Sequence, residues 1–288
     1  MDFVQIVVED IDGEAAEVVA EVFNRYGYGG AAMHTAPPDF DRVTVQTVIP
    51  AEDDHILRQI EVALALIGKA LPQGLPDPRL SFIGEHDWAE SWKENFQVVR
   101  VGPKVVIRPG WRDYAPAPGE VVIHLDPGAA FGSGLHPTTR LCLDYLQSRP
   151  LQGVDVFDVG TGSGILSIAA AKLGAAPVRA VDVDAVAVRV ARENFVRNGL
   201  PGIQTAAGSA ADGGGRQWSL VIANILSNIL IEIMADLKGA LAPGGSLLLS
   251  GIINEQEQAM RRCLAEHGLS VQARHEDGEW VAFVAQKG

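Results

Sequence analysis

Residues 154–174 read VDVFDVGTGSGILSIAAAKLG, and this stretch decides the fold. Its first six residues form a mostly apolar run that predicts a buried β-strand, and the run from Ile165 to Ala171 predicts a helix. Between them lie Gly160, Gly162 and Gly164, which allow a tight turn and a close approach of backbone N–H groups to a ligand. A strand, a glycine turn and a helix in this order are typical of an open α/β sheet, which binds ligands at the carboxyl ends of its strands.

The same alternation of strand and helix continues along the chain from about residue 120. Short apolar runs predict strands at 154–159, 178–183, 220–225 and 246–251, and helical spacing predicts helices at 141–147, 165–172, 185–197 and 228–241. Two more strands, 271–276 and 280–285, flank the turn signal Asp277-Gly278. We therefore predict that residues 120–288 form a doubly wound, Rossmann-like, mostly parallel sheet with helices on both faces.

Residues 1–85 have a different organisation. Apolar patterns predict strands at 3–8, 31–34, 42–49 and 80–83 and helices at 14–26 and 53–70, with Gly27 as the C-cap of the first helix. The order β-α-β-β-α-β predicts a small α+β domain of the ferredoxin-like kind. Residues 86–119 connect the two domains, with a strand pair near 98–101 and 104–108 and two tryptophans, Trp88 and Trp92, expected to pack between domains.

Composition limits the class of protein. The chain has 288 residues, of which 47% are hydrophobic, and a formal net charge of −13, which is ordinary for a globular protein and excludes a disordered or fibrous chain. Its apolar runs fall short of the ~20 residues that span a bilayer, and no basic leader precedes them, so we expect a cytoplasmic protein without membrane contact. Cys142 and Cys263 lie far apart without metal-ligand spacing, so neither a disulfide scaffold nor a metal site is expected.

The acidic charge is concentrated at the N-terminus. Residues 1–85 carry 15 acidic and 5 basic residues, a net charge of −10, whereas the remaining 203 residues carry a net charge of only −3. Direct binding of nucleic acid is not expected, because Lys and Arg dominate phosphate contacts. The acidic domain either steers a basic protein partner toward the molecule or keeps the domain soluble, and charge alone does not decide between these.

The residues around the glycine turn favour one cofactor. The next predicted strand ends near Asp182, 22 residues after Gly160, where an acidic side chain can accept the hydroxyl hydrogens of an adenosine ribose. The turn reads G-T-G-S-G, which is neither the dinucleotide fingerprint nor a Walker A loop with its lysine. Asp158 adds a negative charge, which suits a cation better than a pyrophosphate. S-adenosylmethionine, with a sulfonium, an ammonium and no phosphate, matches these features; the alternative is a tight connection without a ligand.

A second segment, LDPGAAFGSGLHPTTRLCL at residues 125–143, precedes a helix. Glycines flank Phe131, which would allow the loop to fold over a ligand with the ring as an apolar cover. On local chemistry Thr138 or Thr139 is the N-cap of the helix. His136 is either an acid or base for catalysis or a hydrogen-bonding group at the surface.

A third segment, IANILSNIL at residues 222–230, places Asn224 at the carboxyl end of a predicted strand. Its amide can orient a substrate amine, contact the cofactor or cap the following helix, and Asn228 is the alternative cap. No catalytic base is assigned.

Together, the motifs DPGAAFGSGLHPTT, DVGTGSGILSIAA, DVD and ANIL resemble those of the ribosomal protein L11 methyltransferase family, and residues 87–113 are similar to its connector. The resemblance implies a class I S-adenosylmethionine-dependent methyltransferase with a ferredoxin-like substrate-recognition domain. It also implies trimethylation of the N-terminal α-amine and lysine ε-amines of ribosomal protein L11. The cofactor positions that it implies are Thr139, Gly160, Asp182 and Asn224, with Phe131, Gly162 and Asp158 beside them.

Two positions depart from the family pattern, because Ser133 and Leu135 stand where the family often has threonine. Leu135 removes a polar group near the expected amine entrance, which bears on substrate choice. One alternative is the related lysine methyltransferase of the electron-transfer flavoprotein β-subunit, against which the loop at 126–134 argues. Others are a non-catalytic adenosine-binding recruitment module and, less favoured, a nicotinamide oxidoreductase. We expect a monomer.

Overall fold

The computed structural model describes residues 3–27, 31–36, 39–71, 73–83, 97–126 and 136–287. These residues divide into two compact units, one before residue 97 and one from Gln97 onward. Each unit has a hydrophobic core of its own. Within the described ranges, no helix has both the length and the apolar character needed to cross a membrane.

The first unit follows the predicted element order. Its elements are β1 (Phe3–Ile11), α1 (Gly13–Tyr26), β2 (Ala32–Ala36), β3 (Asp39–Pro50), α2 (Asp54–Ala70) and β4 (Arg79–Ile83). The four strands form an antiparallel sheet in the order β2-β3-β1-β4. An aspartate caps the N-terminus of each helix: Asp12 accepts a hydrogen bond from Ala15 N (2.9 Å), and Asp53 accepts one from Ile56 N (3.1 Å).

Gly27 is the C-cap of α1 as predicted, but for a different reason. Its φ is −75°, which is not the left-handed conformation that usually selects glycine after a helix. A Cβ at this position would instead lie 1.9 Å from Thr47 Oγ1 on β3. The close approach of the helix end to the sheet therefore requires glycine.

The second unit begins with a small sheet made of β5 (Val99–Val101), β6 (Val105–Arg108) and β7 (Val121–His124), in which β6 and β7 run parallel. The described part of the predicted connector, 97–119, contributes Val101, Val105 and Ile107 to the core of this unit. The other predicted features of the connector, Trp88 and Trp92, lie outside the described residues.

The main sheet of the second unit has seven strands. They are β8 (Val156–Val159), β9 (Val178–Asp182), β10 (Gln204–Ala207), β11 (Trp218–Asn224), β12 (Leu241–Ile253), β13 (Leu269–Asp277) and β14 (Trp280–Lys287). The order is β10-β9-β8-β11-β12-β14-β13. The first five strands are parallel, and β14 runs antiparallel to both neighbours. Because the chain enters at β8 and leaves in both directions, the order reverses between β8 and β11, which is where open α/β sheets bind ligands.

Helices cover both faces of this sheet, as predicted. They are α3 (Pro137–Gln147), α4 (Ile165–Lys172), α5 (Ala185–Arg197), α6 (Ser227–Glu232), α7 (Met234–Ala240) and α8 (Glu257–Glu266). Successive strand residues point to opposite faces. Accordingly Val156 packs in the cluster that contains residues of α3, α4 and α5, whereas Phe157 packs with residues of α7 and α8.

The prediction of one helix over 228–241 is wrong. The segment forms α6 and α7, which meet at Ile233 (φ −95°, ψ 10°), and Leu241 already begins β12. Apolar spacing continues across the break, since Leu230, Met234 and Leu237 are all fully buried. Periodicity therefore cannot reveal where the helix is interrupted.

Candidate active site

Three predicted site residues meet at one edge of the main sheet. Neighbouring parallel strands β9, β8 and β11 end there, with Gly160 directly after β8, Asp182 closing β9 and Asn224 closing β11. The fourth, Thr139, lies in the first turn of α3, and its Oγ1 accepts a hydrogen bond from Asn224 Nδ2 at 3.4 Å. The structure thus brings together all four positions that the resemblance implied.

The glycine turn is fixed to the end of β9. The backbone N–H groups of Gly160 and Thr161 both donate to the carbonyl oxygen of Val181, at 2.9 and 3.0 Å. Gly160 has φ +75°, and a Cβ there would lie 2.3 Å from the Ile225 side chain. Glycine is therefore required at this position, both for the backbone conformation and for the close packing against the residue after β11.

Asp182 has a structural task beside the predicted one. Its Oδ2 accepts a hydrogen bond from Gly162 N at 2.9 Å, and its Oδ1 accepts one from Asp184 N at 3.0 Å. A carboxylate offers about four acceptor positions, so two remain for other donors. The half-buried side chain can accept two ribose hydroxyls while it holds the glycine turn.

Asp158 is a buried carboxylate, only 1% exposed. Its Oδ2 accepts hydrogen bonds from Thr161 Oγ1 and Ser167 Oγ, both at 2.7 Å, whereas its Oδ1 has no partner among the described residues. Burial raises the pKa of this carboxyl to about 6. The hydrogen bonds from the two hydroxyls lower the pKa, and the negative charge of Asp182 raises it further.

This environment tests the fit of the expected cofactor. A cation near the glycine turn would relieve the cost of the buried charge on Asp158, whereas a pyrophosphate at the same turn would be repelled by that charge. Because Asp158 has almost no exposed surface, it would act on a cation through its field rather than by direct contact. The residues therefore fit S-adenosylmethionine and do not fit a dinucleotide.

The N-cap predicted for the helix after the loop is wrong. The helix begins at Pro137, and the cap is His136, whose Nδ1 accepts a hydrogen bond from Thr138 N at 3.3 Å. Thr138 and Thr139 both lie inside the first turn and are buried. His136 thus closes a helix end in this structure, which gives it a defined role other than acid–base catalysis.

Neither asparagine of the third segment caps a helix. α6 begins at Ser227 after Leu226, which makes no capping bond with its side chain, and Asn228 lies inside the helix. Asn224 instead joins β11 to α3 through its amide nitrogen. Its carbonyl oxygen has the polarity needed to accept a hydrogen from an amine.

Several contributors to the site were missed from sequence. Ser167 and Thr161 hold Asp158, and Ser250 on β12 donates from Oγ to the carbonyl oxygen of Thr138 at 3.1 Å. Ser167 gave a signal, because it interrupts an apolar helical run, whereas Ser250 gave none. Phe131, Ser133 and Leu135 of the predicted loop lie outside the described residues.

A groove of about 510 Å³ elsewhere in the unit is separate from this site; Arg108, Tyr114 and His124 are among its lining residues. Lys172, the last residue of α4, donates to Val122 O beside it at 2.6 Å. The helix α4 starts next to the glycine turn and has 8 residues. Its last residue therefore lies roughly 12 Å from the edge of the main sheet that carries the candidate cofactor site. The groove therefore lies toward the opposite end of the sheet.

The raised pKa of Asp158 has a consequence for stability. Between about pH 4 and 6 the ligand-free folded protein retains a proton on this carboxyl that the unfolded chain releases, so its contribution to stability falls as the pH rises through this window. We expect Asp158→Asn to remove this component. The free energy of unfolding of the variant, relative to wild type, should rise from pH 4 to 6 and level off above pH 6 in urea denaturation.

Asp155→Asn provides a matched control with the opposite trend. Burial raises the pKa of Asp155, but bonds from Ser219 and the charge of Arg216 outweigh it and hold the pKa below its usual value. Because its folded pKa lies below the ~3.9 of an unfolded aspartate, this variant should lose stability relative to wild type as the pH rises toward about 4, and should change little from pH 4 to 6. If the free energies of unfolding of wild type and Asp158→Asn changed in parallel with pH, the assignment of a buried carboxyl with a raised pKa would be contradicted.

Comparisons with known proteins agree with this geometry. The sequence profile of the family described as Ribosomal protein L11 methyltransferase (PrmA) matches residues 4–288. Two relatives named ribosomal protein L11 methyltransferase are those of Chloroflexus aurantiacus, 39% identical over 99% of this chain and 98% of that protein, and of Pelotomaculum thermopropionicum, 38% identical over 99% of each.

A solved structure supports the fold. The crystal structure of ribosomal protein L11 methylase from Lactobacillus delbrueckii subsp. bulgaricus has a TM-score of 0.63 at 34% sequence identity, and the match covers 67% of this chain and 100% of that one. The predicted fold class, an α/β sheet of the class I methyltransferase type, is confirmed. With a profile match over nearly its full length and relatives well above 30% identity, the chain belongs to the ribosomal protein L11 methyltransferase family.

Proposed function

We propose that this chain transfers methyl groups from S-adenosylmethionine to amines of ribosomal protein L11, namely the N-terminal α-amine and lysine ε-amines. The observation that carries the proposal is the meeting of Asp158, Asp182 and the glycine turn at one sheet edge, in a chain of this family. The buried carboxylate of Asp158 beside the turn favours a cationic adenosine compound over a phosphorylated one, whereas Asp182 would accept the ribose hydroxyls of either. The bound cofactor would supply a methyl group already activated by its positive sulfur.

The chain's own residues would hold the cofactor as follows. Asp182 would accept the ribose hydroxyls with the acceptor positions that its backbone bonds leave. Val183, the next residue, is 82% exposed and offers an apolar surface on which an adenine ring can pack. The glycine turn, including Gly160 and Gly162, would leave room for the aminoacyl part, and the charge of Asp158 would favour its ammonium and sulfonium.

Positioning is the main chemical task of the protein. Placing the amine nitrogen about 3–3.5 Å from the methyl carbon, in line with the bond to be broken, supplies much of the rate in such displacements. Asn224 lies at the same edge, where its carbonyl oxygen would accept an amine hydrogen and direct the nitrogen lone pair at the methyl group. An α-amine with a pKa near ~8 is partly neutral at physiological pH, and partial burial would help a lysine lose its proton.

Recognition of the protein substrate is assigned to the acidic N-terminal domain. We propose residues 1–85 as the substrate-recognition domain, 86–119 as the connector, of which 97–119 belong to the second compact unit, and 120–288 as the methyltransferase domain. The net charge of −10 over residues 1–85 would attract a basic ribosomal protein. That the protein acts as a monomer in the cytoplasm, without binding nucleic acid, stays a prediction.

Removing the carboxylate of Asp182 tests the cofactor assignment. We expect Asp182→Ala to weaken binding of S-adenosylmethionine by at least about tenfold, since hydrogen bonds to charged groups are worth ~1.5–3 kcal/mol. Isothermal titration calorimetry gives the affinity, and thermal unfolding shows that the variant is folded. Glu193→Gln, which removes an exposed charge from the following helix α5, should bind as wild type does. An unchanged affinity in folded Asp182→Ala would contradict the ribose assignment.

Salt dependence tests the role of the acidic domain. The intact chain should methylate purified ribosomal protein L11, which mass spectrometry detects as 14-Da increments. The rate at which the chain associates with ribosomal protein L11 should fall as the salt concentration rises, because ions screen charges that are more than ~8 Å apart. Replacing the exposed Glu21, Glu52 and Glu61 by glutamine should slow association and flatten the salt dependence. The same number of charges removed at Glu232, Asp236 and Glu266 should have a smaller effect. Equal effects of the two sets would contradict recognition by residues 1–85.

A further inference from the structure

The first turn of α3 is held by the end of the C-terminal hairpin. The His136 ring meets the ring of Trp280 edge-on, with centroids 4.8 Å apart and planes at 69°. One turn further on, Arg140 donates from Nε and Nη2 to Asp277 Oδ2 at 3.0 and 2.6 Å. We call residues 277–280, where β13 turns into β14, the hairpin tip.

The two contacts form a matched pair. His136 and Arg140 are four residues apart, so they share one face of the helix. Asp277 and Trp280 face each other across the hairpin as its last register pair. Each member of the helical pair therefore contacts one member of the strand pair, which fixes the helix along its axis and against rotation.

The hairpin tip is itself fixed. Gly278 has φ +61°, the sign that a two-residue turn of type II′ requires at its first central position. The carbonyl oxygen of Glu279 accepts a hydrogen bond from Asn254 N, just after β12, at 2.9 Å. The tip thus offers a firm support rather than a loose loop end.

The same helical turn carries the side chain that contacts the active-site residue Asn224. Between His136 and Arg140 lie Thr138, whose carbonyl oxygen accepts from Ser250, and Thr139, which accepts from Asn224. The side chains of Arg140 and Asp277 are 43% and 37% exposed, so this ion pair adds little to the stability of the folded protein. The effect of the Arg140–Asp277 pair is instead geometric, because it helps to determine where Thr139 contacts Asn224.

We propose that the hairpin tip is a positioning element of the cofactor site: through Trp280 and Asp277 it fixes the start of α3, and thereby sets the affinity for S-adenosylmethionine. The inference rests on the proposed function in taking S-adenosylmethionine as the ligand. In this arrangement Trp280 and Asp277 would act on the site through the contacts they make with His136 and Arg140, and so through Thr139.

Calorimetric titration of the full chain with S-adenosylmethionine tests this. We expect Trp280→Ala to weaken binding roughly three- to tenfold, the range that the energies of aromatic pairs imply. Asp277→Asn should weaken it roughly two- to fivefold. Glu276→Gln, which removes an exposed carboxylate paired with Arg274 just before the tip, is the matched control and should bind within twofold of wild type.

Three further tests separate positioning from a general loss of structure. The reversed pair Arg140→Asp with Asp277→Arg should recover part of the affinity that either change alone removes. Amide hydrogen exchange without cofactor should speed up at residues 138–142 in Trp280→Ala and Asp277→Asn, while exchange in β8 and β11 stays as in wild type. Trp280→Phe should recover most of the affinity.

The outcomes distinguish this inference from the proposed function. If wild type binds S-adenosylmethionine and the folded Asp277→Asn and Trp280→Ala variants bind it as tightly as wild type does, the hairpin tip has no positioning role. If Trp280→Ala fails to fold, Asp277→Asn and the reversed pair decide. If wild type does not bind S-adenosylmethionine, the proposed function fails and the claim about affinity fails with it. Amide hydrogen exchange at residues 138–142 still shows in that case whether the hairpin tip fixes the start of α3.

Discussion

Gly160 and Thr161 donate backbone hydrogen bonds to the carbonyl oxygen of Val181, and Gly162 donates one to the carboxylate of Asp182. These bonds join the turn after β8 to the end of the neighbouring strand β9. They bring the start of α4, the glycine backbone and the acidic end of β9 to one place on the sheet edge. The other parts of the site, Asn224 and the first turn of α3, are arranged around this turn.

The electrostatics of that edge then limit what can bind there. Asp158 is buried with one oxygen unpartnered among the described residues, and Asp182 lies at the end of the adjacent strand. Keeping a carboxylate ionised away from water is costly, and a nearby cation lowers the cost. The hydroxyls of Thr161 and Ser167 offset part of it without neutralising the charge. The site therefore favours a positively charged adenosine compound over nucleotides.

Much of this arrangement could be predicted from sequence, because it depends on local patterns. The strand ending in Asp158, the glycine turn and helix 165–172 are adjacent in the chain, and parallel strands bring the ends of β8, β9 and β11 to one edge. Thr139 differs, since local chemistry favours a helix cap and only the family resemblance points to the cofactor site. The structure then showed His136 as the cap and Thr139 bonded to Asn224.

The features that escaped prediction depend on distant pairings or on single backbone angles. Arg140 and Asp277 are 137 residues apart, and no local pattern in either segment indicates the other. The break at Ile233 is a change of one residue's dihedral angles within an uninterrupted apolar pattern. β10, whose sequence Gln204–Ala207 is short and only half apolar, lies at the sheet edge, where burial imposes little alternation.

A crystal structure of the full chain with S-adenosylmethionine tests the central claim most directly. The account requires both ribose hydroxyl oxygens within about 2.5–3.0 Å of the Asp182 carboxylate, the range of O–H···O bonds, with the aminoacyl part over the glycine turn. It also requires that the Gly162–Asp182 bond persists in the complex. A ribose bound elsewhere, with Asp182 facing only solvent, would contradict it.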